Sequence, residues 1–481
     1  MTERRKLWIL VLCCVGQFMV ILDVSVVNVA LPSIRSGLHF SAADLQWVVN
    51  AYTLTFAGFL LLGGRACDLL VRRHVFNFGM GLFAIASLVG GLAQSQTMLV
   101  LARGIQGLGG AVVAPATLSI ITSTFTEGGE RNRALGAWGA MGAVGGSVGV
   151  LLGGVLTQLL SWRWILFINV PIGAAAVLAS LRVIAAERPS SASRRNFDLA
   201  GAISGTLGLI VLTFGIVKTE QYGWGSTRTI ATLGIAVALL GLFLLIESRF
   251  AKAPLMPLGI FRSRQLSAAN VVVMLLGSSA FAMWYFVSLY LQEVRGFTPI
   301  ETGLAFVPPT VALAAAAQVV GKRLARIGAG RFLVLGMALI SVGLIWLGQV
   351  PVDGSYAGDV LVPFVIAGAG IGTTFVSVTV AGMAGVEPRQ VGLASGLINT
   401  SRQIGASLGL AILATTATAH TASLFGHTTV HSALTSGFDR AFVLGGIFAG
   451  VGALASAILI PLKRPPRPAQ AEAAVPESVS T

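Results

Sequence analysis

Fourteen apolar runs of membrane-spanning length, divided by short polar breaks, constrain this chain more than anything else in it. They fall near residues 7–31, 45–63, 75–93, 98–121, 135–158, 164–184, 199–217, 229–246, 266–291, 302–320, 331–350, 359–385, 390–415 and 438–461. A helix needs about 20 apolar residues to cross a hydrocarbon core of about 30 Å. A backbone inside lipid must also satisfy its own hydrogen bonds, which a helix does within one segment. The sequence therefore predicts an all-α integral membrane protein with fourteen transmembrane helices. Composition agrees: 10% of the 481 residues are charged and 55% hydrophobic, whereas an ordinary soluble domain carries about 25% charged residues.

A net charge of +14 would suggest a nucleic-acid partner for a soluble protein, but here it follows orientation. With the N-terminus inside, twenty-four of the 32 basic residues fall on that side, among them Arg4, Arg5, Lys6, Arg72, Arg73, Arg131 and Arg133. The opposite loops hold only Arg35, Arg163, Lys218, Arg228 and Arg295. Both termini are thus expected in the cytoplasm, the lipid bilayer is the partner, and no nucleic acid is needed. The first run is about twice the length of a signal-peptide core and continues through Asp23 to Pro32, so it is expected to be kept as a helix. Cys13, Cys14 and Cys67 give no disulfide or metal spacing. The five histidines, His39, His74, His420, His427 and His431, all fall in predicted loops, and no metal site is expected.

A weak internal repeat organises the runs. GRACDLLVRR at 64–73 follows the second helix and GKRLARIGAGR at 321–331 follows the tenth, in equivalent slots of two six-helix halves, as in transporters built from repeated halves. Helices 7 and 8 are then an inserted pair. The expected organisation is a six-helix bundle over 1–184, a linker with the inserted helices over 185–265, a second six-helix bundle over 266–462 and a disordered tail over 463–481.

Asp23 is the most informative single residue. A charged side chain at the bilayer centre costs roughly 2.5–3.5 kcal/mol on insertion scales, so such residues face a partner or a cavity and are functional by default. Arg103 is the expected cation. Asp23 lies eight residues before Leu31 on an outward-running helix, and Arg103 lies five residues after Met98 on an inward-running one. At about 1.5 Å per residue the two share a depth; the alternative for Arg103 is snorkelling to the surface. A carboxylate whose surroundings alternate between burial and pairing with a cation can take up and release a proton. No G-x-x-x-x-G-K-[ST] phosphate loop is present, so ATP hydrolysis is not expected, and no cofactor or catalytic residue is identified.

Several strings together resemble the fourteen-helix drug:proton antiporter branch of the major facilitator superfamily. They are LDVSVVNVALP at 22–32, LARGIQGLGGAVVAPA at 101–116, SWRWILFINVPIG at 161–173 and GLASGLINTSRQIGASLGLAI at 392–412. Val71 departs from that pattern where a glycine is usual, and Val150 where a proline is usual. The resemblance implies a major-facilitator-like fold and proton-driven export, with Asp23 and Arg103 as the coupling pair. It also implies a cytoplasmic gate in which Asp68 docks on the N-terminus of helix 13, near Gln390; the alternative is local pairing of Asp68 with Arg72 or Arg73. Gly142, Gly145, Gly146, Gly149, Gly153 and Gly154 on helix 5 permit close helix packing. Gln17, Asn28, Gln106, Trp284, Tyr285, Asn399, Arg402 and Gln403 are candidate cavity residues, each with packing as its alternative.

The leading functional expectation is a monomeric, proton-driven exporter of amphiphilic or drug-like small molecules in a bacterial cytoplasmic membrane. An exporter or facilitator of one metabolite or lipid is the alternative, and an enzyme or sensor finds no support in the motifs. Richness in Ala, Gly, Val and Arg suggests a GC-rich genome such as an actinomycete's. Self-resistance in an antibiotic producer follows by analogy.

Overall fold

The computed structural model describes residues 2–126, 129–185, 198–251, 254, 258–384 and 391–461. Among these, thirteen helices are long and apolar enough to cross a membrane, and a further helix, Trp47–Leu69, carries the second apolar run over 23 residues. In chain order the long helices are α1 (Glu3–Leu38), α2 (Trp47–Leu69), α3 (Arg72–Gly91), α4 (Gln96–Thr124), α5 (Gly129–Leu159), α6 (Asn169–Val183) and α7 (Leu199–Val217). They continue with α8 (Thr227–Leu245), α9 (Arg264–Leu289), α10 (Val307–Ile327), α11 (Ala329–Leu347), α12 (Leu361–Met383), α13 (Val391–Leu424) and α14 (Val430–Leu459). The tail beyond residue 461, the start expected for helix 13 and most of the linker before α7 lie outside the described residues.

Several helix starts are marked by polar caps that satisfy free N–H groups. Ser95 accepts from Met98 N, Ser226 from Thr229 N, Ser263 from Leu266 N and Thr429 from Ser432 N. Four sequence-based boundaries shift. The first helix does not stop at Pro32 but runs through it to Leu38, because a contact from another helix relieves the proline. His74, His420 and His431 belong to helices rather than loops. Asp439 stands in the third turn of α14, since that helix begins at Val430 rather than at residue 438.

The helices sort by their contacts. In the first group α1 packs on α5, where an added Cβ at Gly145, Gly149 or Gly153 would meet the backbone of Phe18, Leu22 or Val26. At the end bearing the N-terminus, here the basic end, Lys6 Nζ bonds Glu130 Oε1 at 2.7 Å and Arg5 Nε bonds the Val183 carbonyl at 2.9 Å. In the second group α9 meets α13 so closely that a Cβ at Gly277 would lie 2.1 Å from the Arg402 carbonyl. Ser278 Oγ there donates to the Gly405 carbonyl at 2.8 Å. Helix α7 leans on α2 through Gly58 against Thr206 and Trp47 against Phe214. Helix α8 packs on α7 and leaves Ile230, Ile235, Val237 and Leu242 exposed, a surface suited to lipid.

The turn at Val71 is extended, with φ −62° and ψ 113°. It needs no left-handed residue, so valine serves where the resemblance led one to expect glycine.

Candidate functional site

Five helices of the first group converge on Asp23, which has no exposed surface. Arg103, 2% exposed, donates through Nη1 to Asp23 Oδ2 at 2.6 Å. Gln106 Nε2 and Asn169 Nδ2 donate to the other carboxylate oxygen at 2.6 and 2.9 Å. Arg103 also donates to Gln106 Oε1 at 2.6 Å and to the Val48 carbonyl at 3.0 Å, and its guanidinium lies 4.6 Å from the Tyr52 ring centre. Gln106 Nε2 reaches Ser87 Oγ at 2.7 Å.

Local sequence explains the assembly. Residues 103 and 106 are three apart on α4 and therefore neighbours on its surface. Gly107 brings α4 against α2, since a Cβ there would lie 2.3 Å from the Tyr52 carbonyl. Thr55 Oγ1 seals the same contact on the Gly104 carbonyl at 2.8 Å. Asn169 stands at the start of α6 after the turn Trp164–Phe167. A buried ion pair recovers its lost hydration only with good geometry and further hydrogen bonds, and both are present.

Asp23 and Arg103 thus meet as their matched depth suggests. Gln106, expected in a substrate cavity, belongs to the carboxylate cluster instead, because its amide is the right length to bridge Asp23 and Ser87. Sequence reasoning missed Asn169, Ser87 and Tyr52. The polar Asn169 within an otherwise apolar run was the available signal.

The other candidates disperse. Gln17 is half-buried, and its Oε1 has no partner among the described residues. Asn28 turns back to the Val24 carbonyl at 3.1 Å. Trp284 sits between Phe306 and Phe364, with ring centres 5.2 and 5.3 Å away. Tyr285 is buried edge-on against Phe286, a packed residue in this conformation. Arg402 Nη2 bonds Asn399 Oδ1 at 2.8 Å and lies over the exposed Phe375 ring. Gln403 is buried one turn before Ser407, which bonds Asn50 Oδ1 of α2 at 3.1 Å.

At the basic end, Arg72 Nε bonds Ser119 Oγ at 2.9 Å and Arg73 Nη1 bonds the Ile184 carbonyl at 3.4 Å. The side chain of Asp68 and residues 385–390, including Gln390, lie outside the described residues, as does Gly142 as a packing position. Of the remaining α5 glycines, Gly146 meets nothing nearer than Ser25 Oγ at 4.0 Å, and Gly154 faces the Pro299 carbonyl of the second group.

Comparison with known proteins places these features. Residues 13–410 match the family model described as Major Facilitator Superfamily. The chain is 41% identical to the cephamycin export protein of Amycolatopsis lactamdurans, over 84% of each chain. It is 36% identical to the puromycin resistance protein of Streptomyces alboniger, over 95% of this chain and 91% of that one. Among solved structures, a bacterial homolog of the human lysosomal transporter Spinster, inward-facing and unoccupied, superimposes with a TM-score of 0.68 at 17% identity, over 95% of this chain and 98% of the other. That likeness concerns the fold.

Proposed function

The chain belongs to the Major Facilitator Superfamily, and from that premise we propose that it is a proton-coupled antiporter exporting drug-like or antibiotic small molecules across a bacterial cytoplasmic membrane. Relatives named for cephamycin export and puromycin resistance support the substrate class. The positive-inside rule supports placing the basic end and both termini in the cytoplasm. The protein works as a monomer in this reading. Residues 1–184 and 266–462 are its two moving bundles, with α7 and α8 as an inserted pair. The observation that carries the coupling is the buried Asp23 cluster.

As a carboxylate, Asp23 accepts three donors, two from α4 and one from α6. A proton arriving on either oxygen removes the charge that Arg103 pairs with and displaces a donor. Arg103 keeps the Val48 carbonyl and the Gln106 oxygen, so the bond that weakens is the one tying α1 to α4 and α6. Proton occupancy therefore sets how firmly α1 is held. Because α1 also touches the second bundle, through Ser288 on its Asn28 carbonyl, that change passes to the interface between the bundles. With the basic end cytoplasmic, the cross-bundle contacts lie at the external end and the structure faces inward. Asn399 and Arg402, half-buried near Phe375, are positioned to meet substrate from that side. Asp68 docking at α13 is the matching cytoplasmic latch of the outward-facing state.

The test is a resistance profile in a pump-deficient bacterium, with and without a protonophore. The parent is expected to confer protonophore-sensitive resistance. Asp23→Asn keeps the size of the side chain but not its charge or its exchangeable proton, and leaves Arg103 without its counter-ion; with efflux normalised to the amount of protein in the membrane, export is expected to be abolished. Undiminished protonophore-sensitive efflux by that variant would remove Asp23 from coupling.

A further inference from the structure

Pro32 lies inside α1. Proline has no N–H, so the carbonyl four residues earlier, that of Asn28, lacks its helical donor. Within lipid such a carbonyl needs another partner. Ser288 Oγ of α9, in the opposite bundle, donates to it at 2.7 Å. One turn on, Gln292 Nε2 donates to the Val29 carbonyl at 2.9 Å and to Ser288 Oγ at 3.1 Å. The next residue, Glu293, receives Arg35 Nη1 of α1 on both oxygens at 2.8 Å.

Gln292 and Glu293 sit on a π-helical turn, Tyr290–Val294, that extends α9. Such turns are rare and concentrate at functional sites. Beside them, the Ile300 N–H donates to Gln158 Oε1 of α5 at 3.1 Å, and Gly154 leaves room for the Pro299 carbonyl.

We propose that Pro32, Arg35, Ser288, Gln292 and Glu293 form the gate at the end of the molecule opposite the termini, closed here and released when the bundles rock apart. This rests on the alternating-access reading above. The design is reversible because opening exposes the Asn28 carbonyl and the Arg35–Glu293 charges to water, which replaces the partners they lose. Pro32 is a positioning residue: it holds an acceptor open on α1 for the other bundle to use. Asp23 stands on the same helix five residues before Asn28, about 8 Å along the axis. A change in how α1 is held at Asp23 therefore moves one side of the gate.

The experiment uses the full chain in lipid nanodiscs. Cys13, Cys14 and Cys67 are replaced by serine, and spin labels are placed through Ser36→Cys and Thr298→Cys, two exposed positions flanking the gate. Distances come from double electron–electron resonance. The parent is expected to show mainly a short separation. Arg35→Gln and Ser288→Ala should each move the population about fivefold toward the longer one, the ordinary effect of one hydrogen bond.

The charge swap Arg35→Glu with Glu293→Arg should restore the short distance, which separates gating from misfolding. Pro32→Ala gives the Asn28 carbonyl its own N–H, so adding Ser288→Ala to it should shift the population far less. Unchanged distances in Arg35→Gln and Ser288→Ala, or an equal Ser288→Ala shift with and without Pro32, overturn the gate. Export is measured on the same variants. Distances that respond in a parent that exports nothing leave the gate standing and remove the export reading.

Discussion

Asp23 and Arg103 are almost completely shielded, and each depends on the other for charge balance. Taking one partner from a buried pair leaves an uncompensated charge and costs about 3–5 kcal/mol. Arg103→Ala is therefore expected to lower the unfolding temperature in detergent markedly. Asp23→Asn combined with Arg103→Gln should regain most of the loss while export stays absent. An Arg103→Ala protein as stable as the parent would contradict the pairing. The two charges were legible in the sequence because an ion in an apolar run is costly wherever the chain goes. Asn169 was not, since a neutral amide carries a weaker signal and its partner lies 146 residues away.

At the level of elements, helix contacts are set by where a Cβ fits. Gly107 has none to spare: a side chain there meets the Tyr52 carbonyl and Thr55 Oγ1, pushing α2 off α4 and with it two of Arg103's contacts. Gly107→Val is expected to fail in folding or lose export, whereas Gly146→Ala, with only Ser25 Oγ at 4.0 Å, should leave unfolding temperature and resistance near the parent's. Equal behaviour of the two would show that α2–α4 proximity does not matter. Sequence reading marked the α5 glycines as one group. The structure divides them between α1 and the opposite bundle, because a glycine's role depends on which surface faces it.

For the whole molecule, pH acts on the contacts that tie helices together at the basic end. Lys6 and Glu130 clamp α1 to α5 at the basic end. The Lys6 hydrogen bond, followed by that from Thr126, draws the Glu130 carboxyl down to about 2. A lowered carboxyl stabilises the fold above its unfolded range and loses that contribution as pH falls toward 2. Glu130→Gln is thus expected to keep the shape of a transport profile taken between about pH 5 and 8; a profile displaced within that window would show that this clamp titrates during transport. The sequence by itself determined the spanning helices, since about 20 apolar residues suffice locally to commit a segment to lipid, and it exposed Asp23 and Arg103 as ions that needed one another. Only the tertiary structure decided that Gln106 serves the carboxylate rather than a cavity. It also decided that α1 continues past Pro32, because the hydroxyl that donates to the carbonyl left free by the proline comes from Ser288, 260 residues beyond that carbonyl.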